Sequence, residues 1–195
     1  MKKLMIMAVA LLTAGIASAQ VTYSIGYINT KVTSKVGGYS NSESMNGFTI
    51  AVDYNINLAG DLNVAPGLGM DLSFGKQKTV LGDEKVKKFG VYVPVDFNYG
   101  FALGSDLKLF VYAGPTVDFG IFYNGKIGDE KTDYYKKEEG NMSRFDLLLG
   151  GGAWITYQDV LRFKVGYKAG MLNTCKTDGY TVKNNVLSVS VGYVF

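Results

Sequence analysis

Five carboxylates and five basic groups are the residues that could do chemistry in this chain: Asp53, Asp71, Asp96, Asp118 and Asp146, and Lys108, Arg144, Arg162, Lys164 and Lys168. Such a set can move protons, guide ions or neutralise itself. Proton transfer near neutral pH is served best by a group that titrates there, usually histidine, and the chain has none. The single Cys175 offers neither an internal disulfide nor a thiolate metal cluster. Ser73-Phe74-Gly75-Lys76 spells a serine-nucleophile pattern without its companion motifs. Gly150-Gly151-Gly152 lacks the helix start and lysine of a phosphate loop, so close strand packing around Trp154 explains it better. No enzyme activity, cofactor or metal is expected. Mutual neutralisation remains: buried charges persist when paired, and the balance of five against five favours a salt-bridge network over an ion path.

Such a network needs elements that aim all ten side chains at one enclosed space, and period-2 alternation supplies them. Strands are expected at about 21–31, 46–57, 62–75, 87–101, 107–123, 142–157, 161–174 and 185–195. On the fourth, Phe89, Val91, Val93, Val95, Phe97, Tyr99 and Phe101 share one face, while Gly90, Tyr92, Pro94, Asp96, Asn98 and Gly100 share the other. The second and seventh strands divide in the same way, and the chain ends on Leu187, Val189, Val191, Tyr193 and Phe195 alternating with Ser188, Ser190 and Gly192. Uninterrupted apolar stripes suit lipid, and a glycine-rich charged face suits a narrow interior. The expected fold is therefore all-β, an eight-stranded up-and-down antiparallel transmembrane β-barrel. Tyr23, Tyr54, Tyr99, Tyr157 and Tyr193 fall near strand ends on one side, as an interfacial aromatic girdle requires. Pro66, Pro94 and Pro115 oppose the pattern, since each removes a ladder hydrogen bond; bulges or shorter strands are expected there.

The start of the chain agrees with export. Lys2 and Lys3 precede an apolar run from Leu4 to Ile16, and Ala17-Ser18-Ala19 has the small-residue pattern of a signal-peptidase site. Residues 1–19 read as a cleaved signal peptide and 20–195 as one barrel domain. Without the two leader lysines, basic and acidic residues differ by one, which argues against a nucleic-acid partner.

Connections alternate in length. Those at 58–61, 102–106 and 158–160 are short, and those around 32–45, 76–86, 124–141 and 175–184 are long and polar. An even strand number places both termini on one side, the periplasm for a bacterial barrel, and the long connections outside the cell. Lys76, Lys78, Lys85, Lys87 and Lys88 gather around the second long connection, where phosphates of lipopolysaccharide would meet them. The third mixes both charge signs around Tyr134 and Tyr135, a composition suited to a protein partner.

With the amphipathic strands, Tyr112-Ala113-Gly114-Pro115 and the terminal Gly192-Tyr193-Val194-Phe195, the chain resembles the PorT-like outer-membrane β-barrel family, similar in architecture to OmpX and the OmpA membrane domain. The resemblance implies a bacterial outer-membrane location among lipid and lipopolysaccharide. It also implies recognition of the Tyr193/Phe195 end by the barrel-assembly machinery. Some members of the family are tied to secretion, so an accessory role in an envelope complex is a further expectation. The resulting reading is a non-enzymatic barrel with a charge-plugged lumen and a structural or surface-contact role. A small channel and a soluble secreted barrel for an apolar ligand are the alternatives.

Overall fold

A computed structural model describes residues 20–79 and 82–195, with the side chains of 77–81 excluded, so the proposed signal peptide and the Lys78 side chain lie outside the described residues. Alternation carries through to nine strands: β1 Gln20–Val36, β2 Tyr39–Ala59, β3 Leu62–Thr79, β4 Gly82–Ala102, β5 Leu107–Ile127, β6 Glu130–Asp133, β7 Phe145–Tyr157, β8 Leu161–Gly170 and β9 Tyr180–Val194. Eight of them close an antiparallel ring, with β1 joined to β2 and β9 and β5 joined to β4 and β7. The short β6 pairs with the far end of β5, from Asn124↔Asp133 to Ile127↔Glu130, and is a hairpin on the rim. The expected eight-stranded all-β barrel is the architecture found.

The apolar stripes face outward. Phe48, Leu68, Phe97, Phe163, Val165, Val189 and Phe195 are exposed, whereas Asp53, Asp96, Asp146 and Arg162 are buried inside. This inversion overturns the soluble-barrel alternative, which needs an apolar interior and a polar outside. Tyr23, Tyr99, Tyr157 and Tyr193 are exposed near the end that carries the termini, and Phe195 packs edge-on against Tyr23 and Tyr193.

Two expectations are corrected. The connections at 32–45 and 76–86 are largely strand: β1 and β2 stay paired up to Val36↔Tyr39, turning through Gly37 and Gly38 at positive φ, where a side chain would be strained. Polar composition disguised these hairpins as loops. The prolines neither bulge nor shorten their strands. Beside Pro66, Pro94 and Pro115 the ladder drops pairs and resumes in unchanged register, as in Asp53↔Gly67 followed by Ile56↔Val64. A bulge does occur where β4 meets β5, at Phe89/Gly90. It reverses the parity of β5, so that Asp118 faces inward before it and Tyr123 after it.

Candidate functional site

The barrel interior is built in layers along its axis. Nearest the termini, Trp154 on β7 stacks on Phe110 with centroids 5.1 Å apart, and the Arg162 guanidinium lies 4.7 Å from the Trp154 ring. Gly150, Gly151 and Gly152 sit beside it, and a Cβ at any of them would run into a carbonyl oxygen of the neighbouring strand. The triplet thus lets strands approach closely, as its sequence context implied. Arg162 donates to Asp53, both inside the wall, with side chains 3% and 11% exposed. Higher up, Asp96 accepts from Lys164 at 3.0 Å and from Lys168 at 2.8 Å, and Lys168 also donates to Thr116. The Lys164 ammonium lies 4.3 Å from the Tyr112 ring centre.

The next layer holds Tyr92, whose hydroxyl is 2.8 Å from that of Thr49, and Asp71, whose Oδ1 has no hydrogen-bond partner among the described residues. Above it Lys88 pairs with Asp118 at 3.3 Å, and Asn184 donates to Asp146 at 2.9 Å. A remaining void of about 100 Å³, lined among others by Thr49, Asp71, Tyr92 and Lys168, is surrounded by these groups.

The structure corrects the membership of the network. Lys108 reaches Asp159 in a tight turn, with both side chains almost half exposed, and is a rim residue. Arg144 is an exposed residue of the barrel mouth that makes no ion pair among the described residues; it donates to the Gly120 and Ile121 carbonyls and lies 4.5 Å from the Tyr135 ring. Lys88, expected among the surface lysines, points inward instead. Its parity with Gly90 and Asp96 was the available signal. Below the cap, and among the described residues, the lumen therefore sets five acids (Asp53, Asp71, Asp96, Asp118 and Asp146) against four bases (Lys88, Arg162, Lys164 and Lys168). Arg162 and Asp96 both face inward but do not meet: each is paired with other residues. The serine-lysine pattern separates, since Ser73 is buried inside and Lys76 is exposed outside.

The end opposite the termini is closed by an apolar cap. Val32, Met45, Val86, Tyr123 and Val182 form a buried cluster against which Tyr134, Tyr135, Met142 and Cys175 pack. Tyr134 stacks on Tyr123 at 4.4 Å and donates a 2.7 Å hydrogen bond to Glu84, which is 5% exposed. Tyr134 and Tyr135 therefore turn toward the barrel mouth and are half-buried there, while the charged residues around them stay at the surface. Burial, followed by the hydrogen bond to the Glu84 carboxylate, pushes the Tyr134 phenol well above its ordinary range. The neutral phenol is stabilised by folding, so this contribution is complete below the ordinary phenol pKa and lost only as pH rises through the elevated one.

Tyr134→Phe should loosen the cap by about 1 to 3 kcal/mol, the usual cost of leaving a buried acceptor unsatisfied. Limited proteolysis of residues 130–143 should show faster cleavage with the ring of strands intact. Unchanged cleavage would mean that the Glu84 bond does not hold the cap.

Comparison with known proteins agrees with this architecture. Neisserial surface protein A is similar at 15% identity, over 89% of this chain and 97% of that one, with a TM-score of 0.53. Ail, the attachment invasion locus protein of Yersinia pestis, crystallised with the heparin analogue sucrose octasulfate, is 17% identical over 91% and 99% of the two chains, TM-score 0.49. The outer membrane enzyme PagL is 12% identical over 84% and 97%, TM-score 0.47. Among curated proteins, none matches. The model of the outer membrane protein beta-barrel domain matches residues 5–195, and the chain belongs to that family of outer-membrane β-barrel proteins.

Proposed function

We propose that this protein is a non-enzymatic, plugged barrel that reinforces the outer membrane and presents its long hairpins at the cell surface, with both termini in the periplasm. The observation that carries this reading is the interior filled by Arg162–Asp53, Lys164/Lys168–Asp96 and Lys88–Asp118, with an aromatic cap above. Eight strands enclose a space that side chains can just fill, and paired charges in it act as a packed polar core. Any accessory role in a larger envelope complex would use the outer faces of the hairpins, since the cap tyrosines are committed inward.

Planar bilayers containing the purified barrel should stay electrically silent. Steady single-channel conductance would favour the small-channel reading. Orientation is tested separately: a membrane-impermeant amine reagent on intact cells should label Lys35 in the β1–β2 hairpin, and protection there until the outer membrane is opened would reverse the assignment.

A further inference from the structure

Four lysines stand directly opposite one another on adjacent strands. Lys76 of β3 pairs in register with Lys85 of β4, Lys85 with Lys126 of β5, and Lys126 with Lys131 of β6. Lys85 and Lys126 come together because the β4–β5 bulge resets the register between those strands. Strands lie about 4.7 to 4.9 Å apart, so the row spans about 14 Å around the barrel wall. Like charges directly opposite one another on a sheet destabilise it. Neutralisation from this chain is slight. Lys126 touches Asp129 at 3.5 Å, but Asp129 is fully exposed and such a pair is weak. Asp133, next to Lys131 on the same strand face, accepts the Tyr135 amide at 3.0 Å. Lys76, Lys85, Lys87 and Lys131 make no ion pair among the described residues.

Immediately toward the apolar belt, the Lys87 ammonium lies 5.5 Å from the Phe74 ring centre and 5.7 Å from that of Phe122. The row, Lys87 and Phe74 share an open groove of about 910 Å³ on the outer wall, with Phe48 and Tyr27 at its side. Cationic groups lie at the top and aromatic rings beneath them. That order matches an amphiphile with more than one phosphate on its head and acyl chains running down the wall.

We infer that the Lys76–Lys85–Lys126–Lys131 row, with Lys87 below it, is a binding site for a glycolipid bearing at least two phosphates on its head group. This rests on the extracellular assignment of the long hairpins, which would set the row level with the outer-leaflet head groups. Bridging phosphates would remove the repulsion that the bare row carries. The expected lipopolysaccharide contact is thereby redrawn: Lys88 leaves it, Lys126 and Lys131 join it, and the Lys78 side chain is outside the described residues.

The test uses the full mature barrel in neutral detergent, with diphosphorylated lipid A as the probe, read by native mass spectrometry and by the midpoint of heat-modifiable gel mobility. Wild type should retain lipid A and gain thermal stability from it. Lys76/Lys85/Lys126/Lys131→Gln should bind at least about 30-fold more weakly, given the attraction of each basic residue to an anionic head group. The same variant, without lipid, should be as heat-stable as wild type or more so, because its row no longer repels itself. That result separates lost binding from lost folding. Lys31/Lys35/Lys183→Gln, exposed lysines of β1 and β9, should bind as wild type does. Equal retention by the quadruple variant, or equal binding of dephosphorylated lipid A, would overturn the inference. Competition by millimolar inorganic phosphate would assign the row to a soluble phosphate and also overturn it. None of these readouts depends on which end faces the cell exterior, so failure here is distinguishable from failure of the orientation.

Discussion

Asp96→Asn is expected to lower the stability of the refolded barrel by about 3 to 5 kcal/mol, the usual cost of stripping a buried charge of its partner. Asp96 is 1% exposed and is the shared acceptor for the ammonium groups of Lys164 and Lys168. An amide in its place offers one neutral acceptor to two cations. Adding Lys168→Met should recover part of the loss, because one stranded charge is then removed. Coupling of the same kind is expected between Arg162 and Asp53. Lys108→Met breaks only the half-exposed rim pair with Asp159 and should change stability by less than about 1 kcal/mol. Urea unfolding in detergent reads all of these variants. A loss for Lys108→Met as large as for Asp96→Asn would show that the lumen pairs are not the stabilising core proposed here.

Val189→Lys should be the most damaging change on the terminal strand. Val189 is 47% exposed on the outer face and pairs with Tyr27 and Val165, both of them exposed on the same face. A lysine facing lipid near the bilayer midplane costs roughly 2 to 4 kcal/mol. Val189→Ile should be tolerated. The neighbouring Ser190 faces the cavity, opposite Lys164, so Ser190→Asn should be mild whereas Ser190→Lys sets two cations side by side. Parity alone would have passed Ser190→Lys; the partner across the strand decides otherwise. Deleting Phe195 should slow assembly, because it removes an outer aromatic packed on Tyr23 and Tyr193 and, as we propose, part of the mark read by the assembly machinery. The folded fraction on heat-modifiable gels measures each effect, and equal tolerance of lysine and isoleucine at 189 would show that this face does not meet lipid.

The faces of the strands were legible from residue order, because a strand alternates sides with a period of two and a membrane leaves one side purely apolar. Val189 against Ser190 and Val91 against Asp96 needed nothing more. Asp53, Asp71, Asp96, Asp118, Asp146, Arg162, Lys164 and Lys168 were placed on the inner face for the same reason, and Lys88 carried the same signal. Strand ends were less legible, since a hairpin that rises beyond the membrane loses its apolar face and then reads as a loop, as 32–45 does.

Pairing across the lumen was decided only by the closed ring. Whether Asp96 meets Arg162 or the two lysines depends on the stagger of β4 against β8, which stand apart in the ring, and no local spacing records that stagger. The inward fold of Tyr134 and Tyr135 likewise needed the Tyr123 ring and Glu84 from other strands to receive them. The lysine row belongs to the same class: Lys76, Lys85, Lys126 and Lys131 are scattered along the chain and become neighbours through the registers of β3 to β6. Sequence by itself determined which side each residue takes, because that is a property of one strand; tertiary structure decided which residues meet, because register is a property of pairs of strands and of the closure that joins the last to the first.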